Sequence, residues 1–289
     1  MLAFIIAVKH PERSRSYERV CELLRQTLTS VEAQTDRNFA TIIVCNTRPA
    51  WARNGENRLF VEVNFPPAAP PMHQEDMHRW NFLDKGAKNA VGLIHARQFN
   101  PTHVMFVDAD DFVSRGLAAQ VHLHPTAPGW FFPTGLVYSA QFKIAEVRDK
   151  FCSYCGTSHI LRYDLLPVDI EPGVALSLDL ILQKLDSFYV HRILGDHQEF
   201  NGYLAQRGLQ LAPLPFMGAV WHTDTGENAS RAWWGQTRFG PVWGRRLTPP
   251  EVQEFNIPVR SRSLRDTMFL YGWRVRSTIA GGVKRMLGR

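Results

Sequence analysis

Residues 104–111 read Val-Met-Phe-Val-Asp-Ala-Asp-Asp. Four apolar residues suit a buried strand, and three carboxylates, Asp108, Asp110 and Asp111, arrive where such a strand should end. Carboxylates this close repel one another unless a cation or hydrogen-bond donors sit among them. The spacing points to a site for a divalent metal on the edge of a sheet. A metal held by few protein ligands takes another anionic partner, often a phosphate. A competing reading makes Asp110 or Asp111 the N-cap of a helix over Phe112–Gln120. A cap needs one carboxylate, and this stretch has three.

A second candidate, the lone C-x-x-C of Cys152 and Cys155, is weaker. A structural zinc site needs two more ligands at short spacing, and no second such pair exists. With Phe151–Tyr163 expected as a strand, the two thiols would point to opposite faces, so they are expected to be free and buried.

The elements that must position the acidic cluster can be traced upstream. Leu2–Val8 reads as a first buried strand. Ser16–Gln34 carries Val20, Leu23, Leu24, Leu28 and Val31 at helical spacing. Thr41–Cys45 and Leu59–Phe65 read as strands, and Pro66–Pro71 as a proline-rich loop. Gln74–Phe99 reads as a helix with Ala87, Ala90, Val91 and Ile94 inward, followed by the strand His103–Val107. Strand, helix and strand at these spacings indicate an α/β domain with a largely parallel sheet, whose ligands sit beyond the carboxyl ends of the strands. No glycine-rich dinucleotide or P-loop motif follows any strand. Downstream, Trp130–Tyr138 and Phe142–Val147 suggest a hairpin, Val174–Leu185 and Gln198–Gln206 suggest helices, and Leu209–Pro215 is strand-like. Thr223–Arg246 is rich in Gly, Trp and Arg and reads as a loop.

Charge bounds the partners. The 289 residues net +6, yet Arg260–Arg289 alone holds eight Lys/Arg against one Asp, a net +7, so the rest of the chain nets −1. A basic tail on a nearly neutral body argues against general nucleic-acid binding. The chain has no apolar run of about 18 residues, and its apolar start is too short for a signal peptide, so a cytoplasmic protein is expected.

The ordered segments resemble family 2 glycosyltransferases of GT-A fold. The opening strand, the helix ending in Ser30-Val31-Glu32-Ala33-Gln34-Thr35 and the strand Thr41–Asn46 look like that family's start. Lys85-Gly86-Ala87-Lys88-Asn89-Ala90-Val91-Gly92 is similar to its K-G-x-[AS]-R-N-x-G segment, with Lys for Arg, and Asp108-Ala109-Asp110-Asp111 to its D-x-D-D. The resemblance covers residues 1–225. It implies a GT-A-type, Rossmann-like, mostly parallel sheet flanked by helices, followed by a Trp/Arg/Gly-rich loop region over 226–259 and a C-terminal helical extension over 260–289.

The resemblance also implies roles. Asp110 would bind Mn²⁺ or Mg²⁺ directly, Asp108 would sit near the ribose or the metal, and Asp111 would hold the surroundings or the acceptor. The metal would stabilise the diphosphate leaving group of a nucleotide-sugar donor. Lys88 would neutralise the diphosphate, and Asp84 would accept hydrogen bonds from base or ribose. By spacing alone, Asp84 and Lys88 read as an i,i+4 pair on a solvated helix face. His222, after a strand-like segment, would complete the metal site. Asp196 would be the general base of an inverting transfer, although Gly195 stands where the family has Glu; Glu199 is the substitute. By itself Asp196 reads as an N-cap. Asn46 replaces an Asp that contacts the base, and keeps the capacity to hydrogen-bond a base edge. Trp233, Trp234 and Arg238 would close over the donor or pack on the domain.

In the tail, Leu264, Met268, Tyr271, Val275, Ile279, Val283 and Met286 form an apolar helical stripe among basic residues. It suits an anionic membrane surface, which would make the protein peripheral at the inner face, or docking on the catalytic domain. The activity implied is transfer of a sugar from a nucleoside-diphosphate donor to a hydroxyl of a glycan or lipid-linked acceptor. The rivals are a nucleotidyltransferase on a similar sheet, disfavoured by the absence of glycine in Lys9-His10-Pro11-Glu12-Arg13, and a non-catalytic carbohydrate-binding protein.

Overall fold

The computed structural model describes residues 1–67, 74–139, 141–171, 176–228, 244–258 and 268. In chain order the elements are β1 (Leu2–Ala7), α1 (Tyr17–Val31), β2 (Phe39–Cys45), β3 (Arg58–Glu62), α2 (Gln74–Ala96) and β4 (His103–Asp108). There follow β5 (Phe112–Val113), α3 (Leu117–Leu123), β6 (Gly129–Phe131), β7 (Thr134–Ser139), β8 (Ile144–Asp149) and β9 (His159–Arg162). The last are α4 (Leu178–Lys184), α5 (Phe200–Ala205), β10 (Ala212–Pro213), β11 (Ala219–Thr223) and α6 (Pro249–Phe255).

A seven-stranded sheet runs β10-β6-β9-β4-β1-β2-β3. Its β3, β2, β1 and β4 are mutually parallel, and β9 alone runs against its neighbours β4 and β6. The chain is therefore the mixed α/β protein, with a mostly parallel sheet flanked by helices, that the spacing of elements predicts. The central strands β1, β2 and β4 bury both faces, which is why β1 and β2 read as continuous apolar runs. On one face Phe4 and Ile6 meet Val20, Leu24, Leu28 and Val31 of α1. On the other, Ile5, Ile42 and Val44 meet Ala87, Ala90, Val91 and Ile94 of α2. A Cβ on Gly92 would lie 2.3 Å from Ile5 Cγ2, so this glycine lets α2 approach the sheet.

A second sheet of order β5-β11-β7-β8 stands beside the first. The expected hairpin is its β7–β8 pair. Phe112 and Val113 pair with Val220 and Ala219 of β11, so no helix begins there and the capping reading of Asp110 and Asp111 is overturned. Phe151–Tyr163 is not one strand either: Phe151–Ser153 is a 3-10 turn and only His159–Arg162 is extended. Cys152 and Cys155 thus leave a helical turn rather than opposite faces of a strand, and all four cysteines are free. Beyond residue 243, Ala145 and Arg245 form a backbone bridge, and Phe255 and Ile257 pack with Phe112, Leu136 and Val220. The tail 260–289, apart from Met268, and Trp233, Trp234 and Arg238 lie outside the described residues. Among the described residues no helix is long and apolar enough to cross a membrane.

Candidate active site

The carboxyl ends of β1 and β4 open onto a cavity of about 1210 Å³ whose wall includes Asp84, Lys85, Asp108, Asp110 and Asp196. This is where the open edge of a parallel sheet leaves unfilled space.

The acidic cluster is divided by its partners. The Lys85 ammonium donates to Asp108 Oδ1. Burial works against the Lys85 charge, but Asp108 outweighs it and holds the ammonium above its ordinary value. A Cβ on Gly156 would lie 2.6 Å from Asp108 Oδ2 and 2.8 Å from Lys85 Nζ, so a side chain there would displace this ion pair. Asp110 Oδ2 accepts from Asn228 Nδ2 at 2.8 Å and from Thr225 Oγ1 at 3.3 Å. Burial, then the Asp108 charge, pushes Asp110 up to about 7.

Asp111 faces inward and is 1% exposed. Its oxygens accept from Thr157 Oγ1 at 2.6 Å, Cys155 Sγ at 3.3 Å and the His222 N–H at 2.9 Å. Burial, followed by the charges of Asp110 and Asp108, still raises its pKa well above the usual carboxylate range. Asp111 thereby ties the β4 turn to β11 and to the segment after the 3-10 turn.

His222 lies on β11 and is 4% exposed, its ring against Phe112 and Tyr138. Its Nδ1 is 3.0 Å from the Asp110 carbonyl, which fixes Nδ1 as the protonated nitrogen and leaves the lone pair on Nε2. Burial lowers the imidazole to about 4, so it is neutral near pH 7. The ring does not contribute to the cavity wall.

Lys88 has a different environment from Lys85. It is fully buried, donating to Asp84 Oδ2 at 2.7 Å and the Val8 carbonyl at 2.8 Å. The i,i+4 pair read from spacing exists, but in the core rather than on a solvated face. Burial lowers Lys88 and raises Asp84, each offset by the other's charge. Asp84 Oδ1 has no partner among the described residues. Asn46 stands outside the cavity wall, its amide donating to the Phe65 carbonyl at 2.9 Å.

Asp196 is 5% exposed and also borders the cavity. Oδ1 accepts from the Gln198 N–H at 3.2 Å, the cap read from the sequence, and Oδ2 is 3.5 Å from Arg192. Glu199 is occupied by Arg192 Nη2 at 2.5 Å. Arg192 comes from a π-helical turn, Tyr189–Leu194, packed on α2. A Cβ on Gly195 would stand 2.1 Å from the Phe82 carbonyl, and one on Gly86 1.9 Å from the Val190 carbonyl. A glutamate before Asp196 has no room in this packing.

Sequence reasoning missed Lys85, Asn228 and Glu227. The last accepts from Lys9 Nζ at 3.0 Å and from the Arg15 and Ser16 N–H groups at 3.1 and 2.9 Å. It thus pins the turn carrying Asn228 to the end of β1. Lys85 was legible in the K-G segment, three residues before the lysine chosen; Asn228 and Glu227 belong to no motif.

The carboxylate oxygens of Asp108 and Asp110 are of the type that suits a hard divalent cation, whereas the His222 ring, packed between Phe112 and Tyr138, is off the cavity wall. Among the described residues no group of three or more His, Cys, Asp or Glu is placed to hold a metal ion. Such a cation would draw its remaining ligands from water and from a bound phosphate.

No family model matches the chain, and no curated protein does. Among solved structures it is similar to residues 1–349 of S. aureus TarS, at 14% identity and a TM-score of 0.38, over 76% of this chain and 60% of that one. A complex of the same TarS fragment with UDP-GlcNAc matches at 12% identity and a TM-score of 0.37, over 77% and 58%. The chain thus spans about 60% of the length of the TarS fragment. A likeness this distant says nothing about chemistry.

Proposed function

We propose that the protein is a metal-dependent glycosyltransferase of GT-A type, with residues 1–225 as its catalytic unit. It moves a sugar from a nucleoside-diphosphate donor to a hydroxyl of a glycan or lipid-linked acceptor, with inversion. The observation that carries this reading is that one cavity is lined both by the Asp108–Asp110 pair with Lys85 and by the carboxylate of Asp196.

Asp108 and Asp110 are the residues that would hold Mn²⁺ or Mg²⁺, whose charge would stabilise the departing diphosphate, and His222 stays a candidate ligand. Lys85 adds the nearest positive side chain, and takes the neutralising role that the resemblance gave to Lys88. Asp84 borders the cavity with Lys88 buried behind it, Asp84 Oδ1 is left to accept from a base or ribose, and Asn46 stays a candidate for the base edge. Asp196 removes the acceptor proton as its oxygen attacks the anomeric carbon. The Gln198 N–H and Arg192 hold that carboxylate in one orientation. About 1210 Å³ exceeds the usual volume of a pocket for one small molecule, which leaves room for donor and acceptor together.

The test is a thermal-shift screen of UDP-, GDP- and TDP-sugars, UDP-GlcNAc among them, with and without Mn²⁺. A ligand of the folded state raises the midpoint by mass action. A metal-dependent rise for one nucleotide class is expected; no rise with any of them removes the reading.

A further inference from the structure

A second pocket, of about 430 Å³, lies against the same π-helical turn, and nothing in the proposed transfer uses it. Tyr189 and Ile193 of the turn face this pocket, whereas His191 and Arg192 face the main cavity. Its mouth carries Phe188, whose ring is 59% exposed. Tyr189 and Tyr203 lie with ring centroids 5.8 Å apart. The Arg207 guanidinium lies 3.7 Å over the Tyr203 ring, held there by a bond from Nη1 to the Tyr203 carbonyl at 3.0 Å. Lys184, Asp186 and Gln206 complete the rim.

We propose that this pocket binds a saccharide, a sugar unit of the acceptor distant from the reacting hydroxyl. The inference rests on the reading of the protein as a glycosyltransferase with a glycan acceptor. A pyranose has an apolar C–H face and a polar edge of hydroxyls that donate and accept. An exposed phenyl ring beside tyrosines meets the first requirement. Lys184 and Arg207 donate, the Asp186 carboxylate accepts, and Gln206 does both, which meets the second. A lipid chain or an apolar helix would make no use of these exposed polar rim groups. The volume is at the small end for ligand pockets, suited to one or two sugar rings. Because one turn of chain lines both cavities, an acceptor held here would be anchored next to the arginine that orients Asp196.

The experiment is calorimetric titration of the full chain with maltohexaose, cellohexaose, mannohexaose and chitohexaose, without nucleotide or metal. At least one is expected to bind, and Phe188→Ala to weaken it at least about tenfold, as loss of a central aromatic anchor does. The ring is exposed, so the variant should keep the wild-type melting midpoint and the metal-dependent shift with nucleotide sugar. No binding by any of the four, or equal binding by Phe188→Ala, overturns the proposal. The two readings separate cleanly. Failure of the nucleotide-sugar screen with Phe188-dependent saccharide binding intact would sink the transfer reading and leave this site standing.

Discussion

Asn228 donates its side-chain amide to Oδ2 of Asp110 at 2.8 Å, across 118 residues of sequence. The same amide donates to the His222 carbonyl at 2.8 Å, and the Asn228 carbonyl oxygen accepts from the Thr225 N–H at 2.8 Å. One turn therefore grips both ends of the candidate metal site. Its donors are neutral, so the negative charge collected by Asp108 and Asp110 is opposed by Lys85 and, at Asp110, also by Lys9.

The first prediction concerns pH. Burial and the neighbouring Asp108 raise Asp110 to about 7, so near neutrality it carries a proton for part of the time. A metal needs the carboxylate deprotonated, and its affinity should rise as pH increases from about 6 to 8. Mn²⁺ titration by calorimetry should show that rise in the wild type. Asp110→Asn, which keeps the shape, should lose most of the affinity and the slope. Retention of both would put the metal elsewhere.

The second sets the two lysines apart. Lys85→Met removes an ammonium from the cavity wall, on a side chain 27% exposed. It should leave the fold intact and weaken nucleotide-sugar binding by about tenfold or more, the worth of a charged hydrogen bond. Lys88→Met leaves Asp84 buried without its cation, and should cost about 3–5 kcal/mol of stability in a denaturant titration. If Lys88→Met instead folds normally and fails only in donor binding, the role implied by resemblance returns to Lys88.

The third concerns the base. Asp196→Asn keeps the bond from Gln198 N–H and cannot take a proton. Turnover should fall by about 10²–10⁴, with the thermal shift from donor and Mn²⁺ unchanged. Turnover near wild type would hand the role to another group, with Glu199 disfavoured because Arg192 already occupies it.

The parts of this site that sequence reveals are those with local causes. The stripes of α1 and α2 and the apolar runs of β1, β2 and β4 announce themselves because burial on a helix or sheet face repeats at fixed spacing. The acidic cluster is legible because three carboxylates in four positions are costly anywhere but at a site. What escaped depends on pairings made far along the chain. Phe112 and Val113 look helical until β11 captures them. Lys85 and Lys88 differ by three positions, and only the angle at which α2 meets β1 and β4 sends one to Asp108 and the other to Val8. Gly195 looks like a defect beside Asp196 until the Phe82 carbonyl is seen to fill the space of a side chain. Glu227 and Asn228 sit in an ordinary polar turn whose meaning comes entirely from the strand ends beneath it.

The last prediction tests how the segment beyond residue 243 is fastened. Arg245 donates two bonds to Glu251, at 2.7 and 2.6 Å, and Glu251 also accepts from the Thr248 N–H at 2.8 Å. These bonds, led by that of Arg245, outweigh the cost of burial and lower Glu251 from 4.5 to about 2. A carboxyl depressed in the folded state stabilises the protein fully above its unfolded value. That contribution is lost as pH falls from about 4.5 toward 2. Arg245 is half exposed, with 51% of its side chain open to solvent, so screening reduces the term to about 1 kcal/mol near neutrality. Glu251→Gln should therefore lower stability by about that amount at pH 7 and by almost nothing at pH 2. Denaturant titrations at the two pH values measure this difference. An equal loss at both would mean that Glu251 acts through its shape in the capping turn, not through its charge.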